Sequence, residues 1–230
     1  MTSTQAIPAS GADRLPVVDA LRGFALFGIL LANVLYWSGW GMVTDAQRLA
    51  WGGAAGELWQ YRFHHGLVDG ERNIAETSII IEYLQLAHPG PVRLLPTDPM
   101  AALDVRFLDR FFDLHVMTPV QHAVGAAMTG DLVKRQEGLA HAEQKLEMAY
   151  AWLEGQLVDK TWAAGSDFTL ADCAAAPSLF YADWTHRIPE AYPVLRAYRA
   201  RLLARPSFAR AVDEARYFRP YFPLGAPDRD

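Results

Sequence analysis

From Thr169 to Tyr181 the chain reads TLADCAAAPSLFY, a helix-length segment whose single charge, Asp172, falls in its first turn. A helix without a polar face cannot rest on a surface and has to be enclosed on all sides, so this segment belongs at the centre of a helical bundle. Its flanks supply the enclosing elements. Leu103, Phe107, Phe111 and Leu114 form one stripe of a long helix opening near Met100, and Val105, Leu108, Phe112 and Val116 form another. Such a helix, apolar on two sides, sits between neighbours or enters a subunit contact. Leu139, Leu146, Tyr150, Leu153 and Leu157 mark a second long helix, and shorter ones are expected near Val194–Ala204 and Ser207–Ala215, divided by Arg205-Pro206. The aromatic tail YFRPYFPLG is expected to pack back on them.

The enclosed helix also carries its own start signal. Within Thr169-Leu170-Ala171-Asp172, the Thr169 hydroxyl can accept from the Asp172 N–H while the Asp172 carboxylate reaches back to the Thr169 N–H. Phe168 and Cys173 occupy the staple positions. This assigns Asp172 a structural role rather than a catalytic one.

Ahead of the bundle, LVDGERNIAETSIIIEYL reads as a short strand, an Asp69-Gly70 turn, a second strand ending at Ile74, and a helix opening at Glu76. Pro89, Pro91, Pro96 and Pro99 then mark a linker. Residues 1–66 are of another character. Their arginines (Arg14, Arg22, Arg48, Arg62) balance their acids (Asp13, Asp19, Asp45, Glu57), so the net charge of −5 resides entirely in residues 67–230. Between Gly23 and Thr44 no residue is charged. As a helix that run would extend ~33 Å, enough to cross a bilayer, and Tyr36, Trp37 and Trp40 gather at one end as interfacial anchors do. A buried soluble helix is the alternative reading, since glycines, Asn33 and Ser38 dilute the run. The mild acidity gives no footprint for nucleic acid. One cysteine, Cys173, allows no internal disulfide, and His64, His65, His115 and His122 form no metal signature.

Three stretches in order, LVDGERNIAETSIIIEYL, LLPTDPMAALDVRFLDRFFDLHVMTPVQ, and AAGSDFTLADCAAAPSLFYADW with RPSFARAVDEARYF behind it, resemble the bacterial glutathione S-transferases. The resemblance implies a mainly α fold: a truncated thioredoxin-like β-hairpin plus helix over 67–90, then an all-helical C-terminal bundle over 91–230. It further implies glutathione as a substrate, held at its γ-glutamyl end by Glu76 and Thr77 with Ile74 as their packed neighbour. A hydrophobic electrophile would lie against Phe111, Phe112, His115 and Met117, and the chain would form a homodimer. Thr169 and Asp172 match the family's helix cap. Separately, RLPVVDALRGFALFGILLANVL resembles the first span of a family of bacterial polytopic membrane proteins related to membrane acyltransferases, with Asp19, Leu21, Arg22 and Gly23 matching its motif. That divides the N-terminal part into an arm over 1–18 and a foreign apolar helix with an amphipathic one over 19–66. The implied location is the cytoplasm, with attachment to the inner membrane if Gly23–Thr44 inserts.

In the resembled transferases a Ser, Tyr or Cys near the N-terminus stabilises the glutathione thiolate, and a cis-proline precedes the strand that here begins near Leu67. Residues 1–66 match neither feature, and Phe63-His64-His65-Gly66 contains no proline. Two functions therefore stand open: conjugation of glutathione to hydrophobic electrophiles, or a non-catalytic transferase-like module for binding or dimerisation that is tethered to a membrane and arose by fusion.

Overall fold

The computed structural model describes residues 67–230. The apolar run Gly23–Thr44, the amphipathic stretch Ala46–Phe63 and the membrane-protein-like motif lie outside the described residues.

The described chain begins with the expected hairpin. Strands β1 (Leu67–Asp69) and β2 (Arg72–Ile74) pair antiparallel with Asp69 opposite Arg72. Gly70 takes a φ of 60° in the turn, where a side chain would be strained. Helix α1 (Thr77–Ala87) follows, then the proline-marked linker. Seven further helical segments complete the chain: α2 (Pro99–Phe111), a π-helical turn (Phe112–Met117), α3 (Thr118–Met128), α4 (Leu132–Gln156), α5 (Leu170–Thr185), α6 (Pro193–Ala204) and α7 (Pro206–Ala215). A 3-10 turn (Arg216–Tyr221) leads into the tail.

Local chemistry sets several of these boundaries. Asp98 and Asp131 cap α2 and α4 by accepting from Ala101 N–H and Val133 N–H, both at 2.8 Å. The sequence pattern predicts one unbroken helix through Phe112–Val116, but the ladder widens there into the π turn. Pro119 explains the change: it has no N–H for the carbonyl four residues earlier and its ring crowds that carbonyl. Thr118 uses both its amide and its hydroxyl on the Asp113 carbonyl, the latter at 3.0 Å.

The apolar segment does sit at the centre. Helix α5 touches α2, the π turn, α3, α4 and α6, and it buries residues on every side, from Leu170 through Asp183. Of the two stripes on α2 and the π turn, Val105, Leu108, Phe112 and Val116 face this core. The other stripe, Leu103, Phe107 and Leu114, stays exposed, with Phe107 56% accessible. On α4 the core face is Ala142, Leu146, Ala149, Tyr150 and Leu153, close to the predicted stripe. The tail returns as expected: the Phe222 ring stacks on Tyr181 at 5.8 Å, and Arg219 lies over Trp184.

The cap of α5 is the most densely satisfied polar group described. Asp172 is fully buried, and the capping box with Thr169 is present. Its Oδ2 accepts from the Thr169 N–H at 2.8 Å and the Thr169 hydroxyl at 3.1 Å. Its Oδ1 accepts from the Ala163 N–H at 2.8 Å and the Tyr198 hydroxyl at 2.7 Å. One carboxylate thus joins the start of α5, the turn before it and α6. Burial pushes the Asp172 carboxyl above its ordinary value, and the four hydrogen bonds oppose that rise without cancelling it.

Among the described residues no helix is long and apolar enough to cross a membrane, and no group of three His, Cys, Asp or Glu side chains is placed to hold a metal ion.

Candidate anion site at the start of the first helix

Helix α1 starts in an unusual way. Glu76, its N-cap, has φ 71° and ψ 123°, a conformation that L-residues avoid at a cost of roughly 1–3 kcal/mol. Among the described residues no side chain caps the helix, and the first backbone bond runs from the Ile80 N–H to the Glu76 carbonyl at 2.9 Å. The N–H groups of Thr77, Ser78 and Ile79 therefore lie at the positive end of the helix dipole without a side-chain acceptor. Glu76 and Thr77 are exposed beside them, and Ile74, half-buried, ends the strand just before. Such an arrangement suits a zwitterionic ligand: N–H groups and the Thr77 hydroxyl for a carboxylate, the Glu76 carboxylate for an ammonium.

Four side-chain links hold this helix in place. Asp69, at the end of β1, accepts from Tyr83 Oη at 2.7 Å and meets His88 Nε2 at 2.8 Å. His88 first, then Tyr83, draw the Asp69 carboxyl below its usual range. Gln85 accepts from the Leu94 and Leu95 N–H groups at 2.7 and 2.9 Å and donates to the Leu95 carbonyl, which folds the linker over α1. Arg106 on α2 forks onto both oxygens of Glu82 at 2.8 Å each. Ser78 donates to both oxygens of Asp109 on α2, at 3.0 and 2.9 Å.

The four expected second-substrate residues separate into two pairs. Phe112 and Met117 are buried in the core, because the π turn directs them inward with Val116. Phe111 is half-buried and His115 exposed, with their rings 4.9 Å apart. Phe111 also stacks on Trp152 of α4 at 4.1 Å, and Phe107 meets the same indole edge-on at 5.9 Å. The surface available to a ligand is therefore Phe111, His115 and Trp152, with Phe112 and Met117 behind it.

Ser78, Asp109 and Trp152 were not singled out from the sequence. Asp109 left a usable signal, since it stands between Val105 and Phe112 on the stripe that faces the core, where an unpaired acid is costly. Trp152 left none, because its meeting with Phe111 joins two helices far apart in the chain.

Comparison with known proteins places the chain in a family. Residues 136–201 match the family model for the glutathione S-transferase C-terminal domain. A glutathione S-transferase from Methylobacterium radiotolerans, solved in complex with glutathione sulfonate, is 31% identical and superposes with a TM-score of 0.53 over 64% of this chain and 69% of that one. The chain belongs to the glutathione S-transferase family. A probable glutathione S-transferase of Glycine max is 31% identical over 118 residues, 51% of this chain and 47% of the soybean protein, so the chain spans about half the length of that relative. A probable maleylacetoacetate isomerase of Vibrio cholerae is 28% identical over 153 residues, covering 64% of this chain and 70% of that protein. In this glutathione S-transferase family member the residues matched by the family model run from α4 through α5 into α6.

Proposed function

We propose that the chain binds glutathione as a substrate at the start of α1 and presents its thiol to a hydrophobic electrophile resting on Phe111, His115 and Trp152. The single observation that carries this reading is the uncapped, strained opening of α1 at Glu76 and Thr77. In this reading the glutathione γ-glutamyl carboxylate occupies the Thr77 hydroxyl and the free N–H groups, and its ammonium pairs with Glu76. Ile74 is the apolar neighbour behind them. The relative from Methylobacterium, crystallised with glutathione sulfonate, supports the choice of ligand. Conjugation would proceed by attack of the sulfur on the electrophilic carbon, with departure of the halide or other leaving group and loss of the thiol proton to solvent.

The homodimer expected of the family is assigned here to the exposed stripe Met100, Leu103, Phe107 and Leu114, of which about half or more of each residue is left uncovered within the described chain even though Phe107 meets the edge of Trp152. A second reading follows from the N-terminal sequence. Residues 1–66 match neither the hydroxyl or thiol that activates the glutathione sulfur nor the cis-proline, so the chain would bind glutathione or dimerise without catalysing conjugation. The finer division into 1–18, 19–66, 67–90 and 91–230, a foreign apolar helix over Gly23–Thr44, a fusion origin and attachment of a cytoplasmic protein to the inner membrane all belong to that reading.

One experiment separates them. Full-length protein is mixed with glutathione and a chromogenic aryl halide, thioether absorbance is followed, and glutathione binding is measured by calorimetry. Binding with turnover above the uncatalysed rate establishes the enzyme, binding at background rate establishes the non-catalytic module, and no binding at all refutes both.

A further inference from the structure

Asp109 is a carboxylate with 5% exposure on the core side of α2, and the described structure gives it a modest set of partners. Both of its oxygens accept from one hydroxyl, Ser78, and no described cation lies within ion-pair distance. Desolvation pushes its carboxyl above the ordinary range, while the Ser78 bond pulls in the other direction. As a contribution to stability this is a poor arrangement, because an apolar side chain of similar size would bury at lower cost. A buried polar pair of this kind is better explained by the geometry it fixes.

What it fixes is the first turn of α1. Ser78 follows Thr77 directly and stands two residues from Glu76, whose φ of 71° persists only where surrounding contacts hold it. Farther along, α1 has independent anchors: Glu82 to Arg106, and Gln85 to Leu94 and Leu95. Loss of the Ser78 hydroxyl would therefore leave the body of α1 attached and free only its opening. The same α2 carries Phe111 two residues beyond Asp109, so the pair also sets the distance between the anion site and the aromatic surface.

We propose that Ser78 and Asp109 are a positioning pair: their hydrogen bond locks the opening turn of α1 onto α2, so that glutathione affinity depends on two side chains that do not touch glutathione. This inference rests on the glutathione reading of the α1 start given above. Neither residue is a catalytic residue.

The test uses full-length protein, glutathione itself as the probe, calorimetry for Kd and thermal melting for stability. Ser78→Ala is expected to weaken glutathione about tenfold, in keeping with the effect of loosening a binding constellation by a fraction of an ångström. Ser78→Thr and Asp109→Asn, which keep a hydroxyl donor and an oxygen acceptor, are expected to bind within about threefold of the parent. Asp109→Leu is the deciding variant: it removes the buried charge, so its melting temperature should hold or rise, yet its affinity should fall as far as that of Ser78→Ala. Affinity that tracks melting temperature across the four variants, or an Asp109→Leu protein binding like the parent, would overturn the positioning role while leaving the glutathione reading intact. A parent chain that binds no glutathione would remove both together, and that outcome is recognisable because it precedes any substitution.

Discussion

Replacing Asp172 with alanine tests the central joint of the bundle. The carboxylate accepts from the Thr169 N–H, the Ala163 N–H and the Tyr198 hydroxyl at 2.7 to 2.8 Å, and all three donors lose their acceptor at once. Each buried donor left without a partner costs about 1–3 kcal/mol. Two effects reduce the total. The Thr169 hydroxyl can rotate to another acceptor, and the variant no longer buries a carboxyl whose titration is shifted upward by desolvation. A net loss of about 3–5 kcal/mol follows, the range found when one member of a buried charged network is removed. At about 2–4 °C per kcal/mol for a chain of this size, the melting temperature should fall by about 6–20 °C. Urea unfolding followed by circular dichroism at neutral pH measures the loss, and an unchanged m-value would show that both proteins unfold from equally compact states. Asp172→Asn, which retains one oxygen, should fall between parent and alanine variant. A loss below about 1 kcal/mol, the value of an ordinary exposed N-cap, would show that the bonds to Ala163 and Tyr198 contribute nothing and would refute the account of Asp172 as the link between α5 and α6.

Three further outcomes are expected. Gly138→Ala gains about 1 kcal/mol of helix propensity, but the new Cβ would stand 2.6 Å from Ala126 Cβ and 3.4 Å from Ala123 Cα, so chemical denaturation should show a net loss of about 1–3 kcal/mol and a neutral result would mean that α3 and α4 separate freely. Glu147 is held below its usual range first by His186, at 2.7 Å, and then by Tyr192, at 2.9 Å. Its contribution is therefore present above pH ~4.5 and lost as the pH falls through its lowered folded value, and denaturation profiles should show Glu147→Gln to be less acid-sensitive than the parent. Phe107→Glu places a charge in the exposed stripe of α2 on which the homodimer is proposed, so light scattering should find the variant monomeric under conditions where the parent self-associates; a charged variant that stays dimeric would assign the subunit contact elsewhere.

Much of the helical region was legible because its causes are local or periodic. The apolar run from Thr169 to Tyr181 could lie only inside a bundle, and the Thr169–Asp172 spacing announced its cap before any neighbour was known. The Arg205-Pro206 break separated α6 from α7 to within a residue. The candidate site was less legible. Glu76 and Thr77 were found through resemblance, but nothing local in the sequence shows that Glu76 adopts a φ of 71°, a strain that only the surrounding contacts maintain. Phe111 and Phe112 read alike as aromatic lining, yet one is half-exposed and the other wholly buried, since a rotation of one residue around the helix decides which side faces the core.

By itself, then, the sequence determined where most of the helices run and which of them is enclosed. Those properties follow from side-chain periodicity and from donors and acceptors a few residues apart, so a linear reading contains them. The tertiary structure alone decided that Asp109 meets Ser78, that Tyr198 completes the cap of Asp172, and that Trp152 stacks on Phe111. Each of those pairs is separated by at least a whole element of chain, and its energy depends on burial and on angles set only when the helices pack.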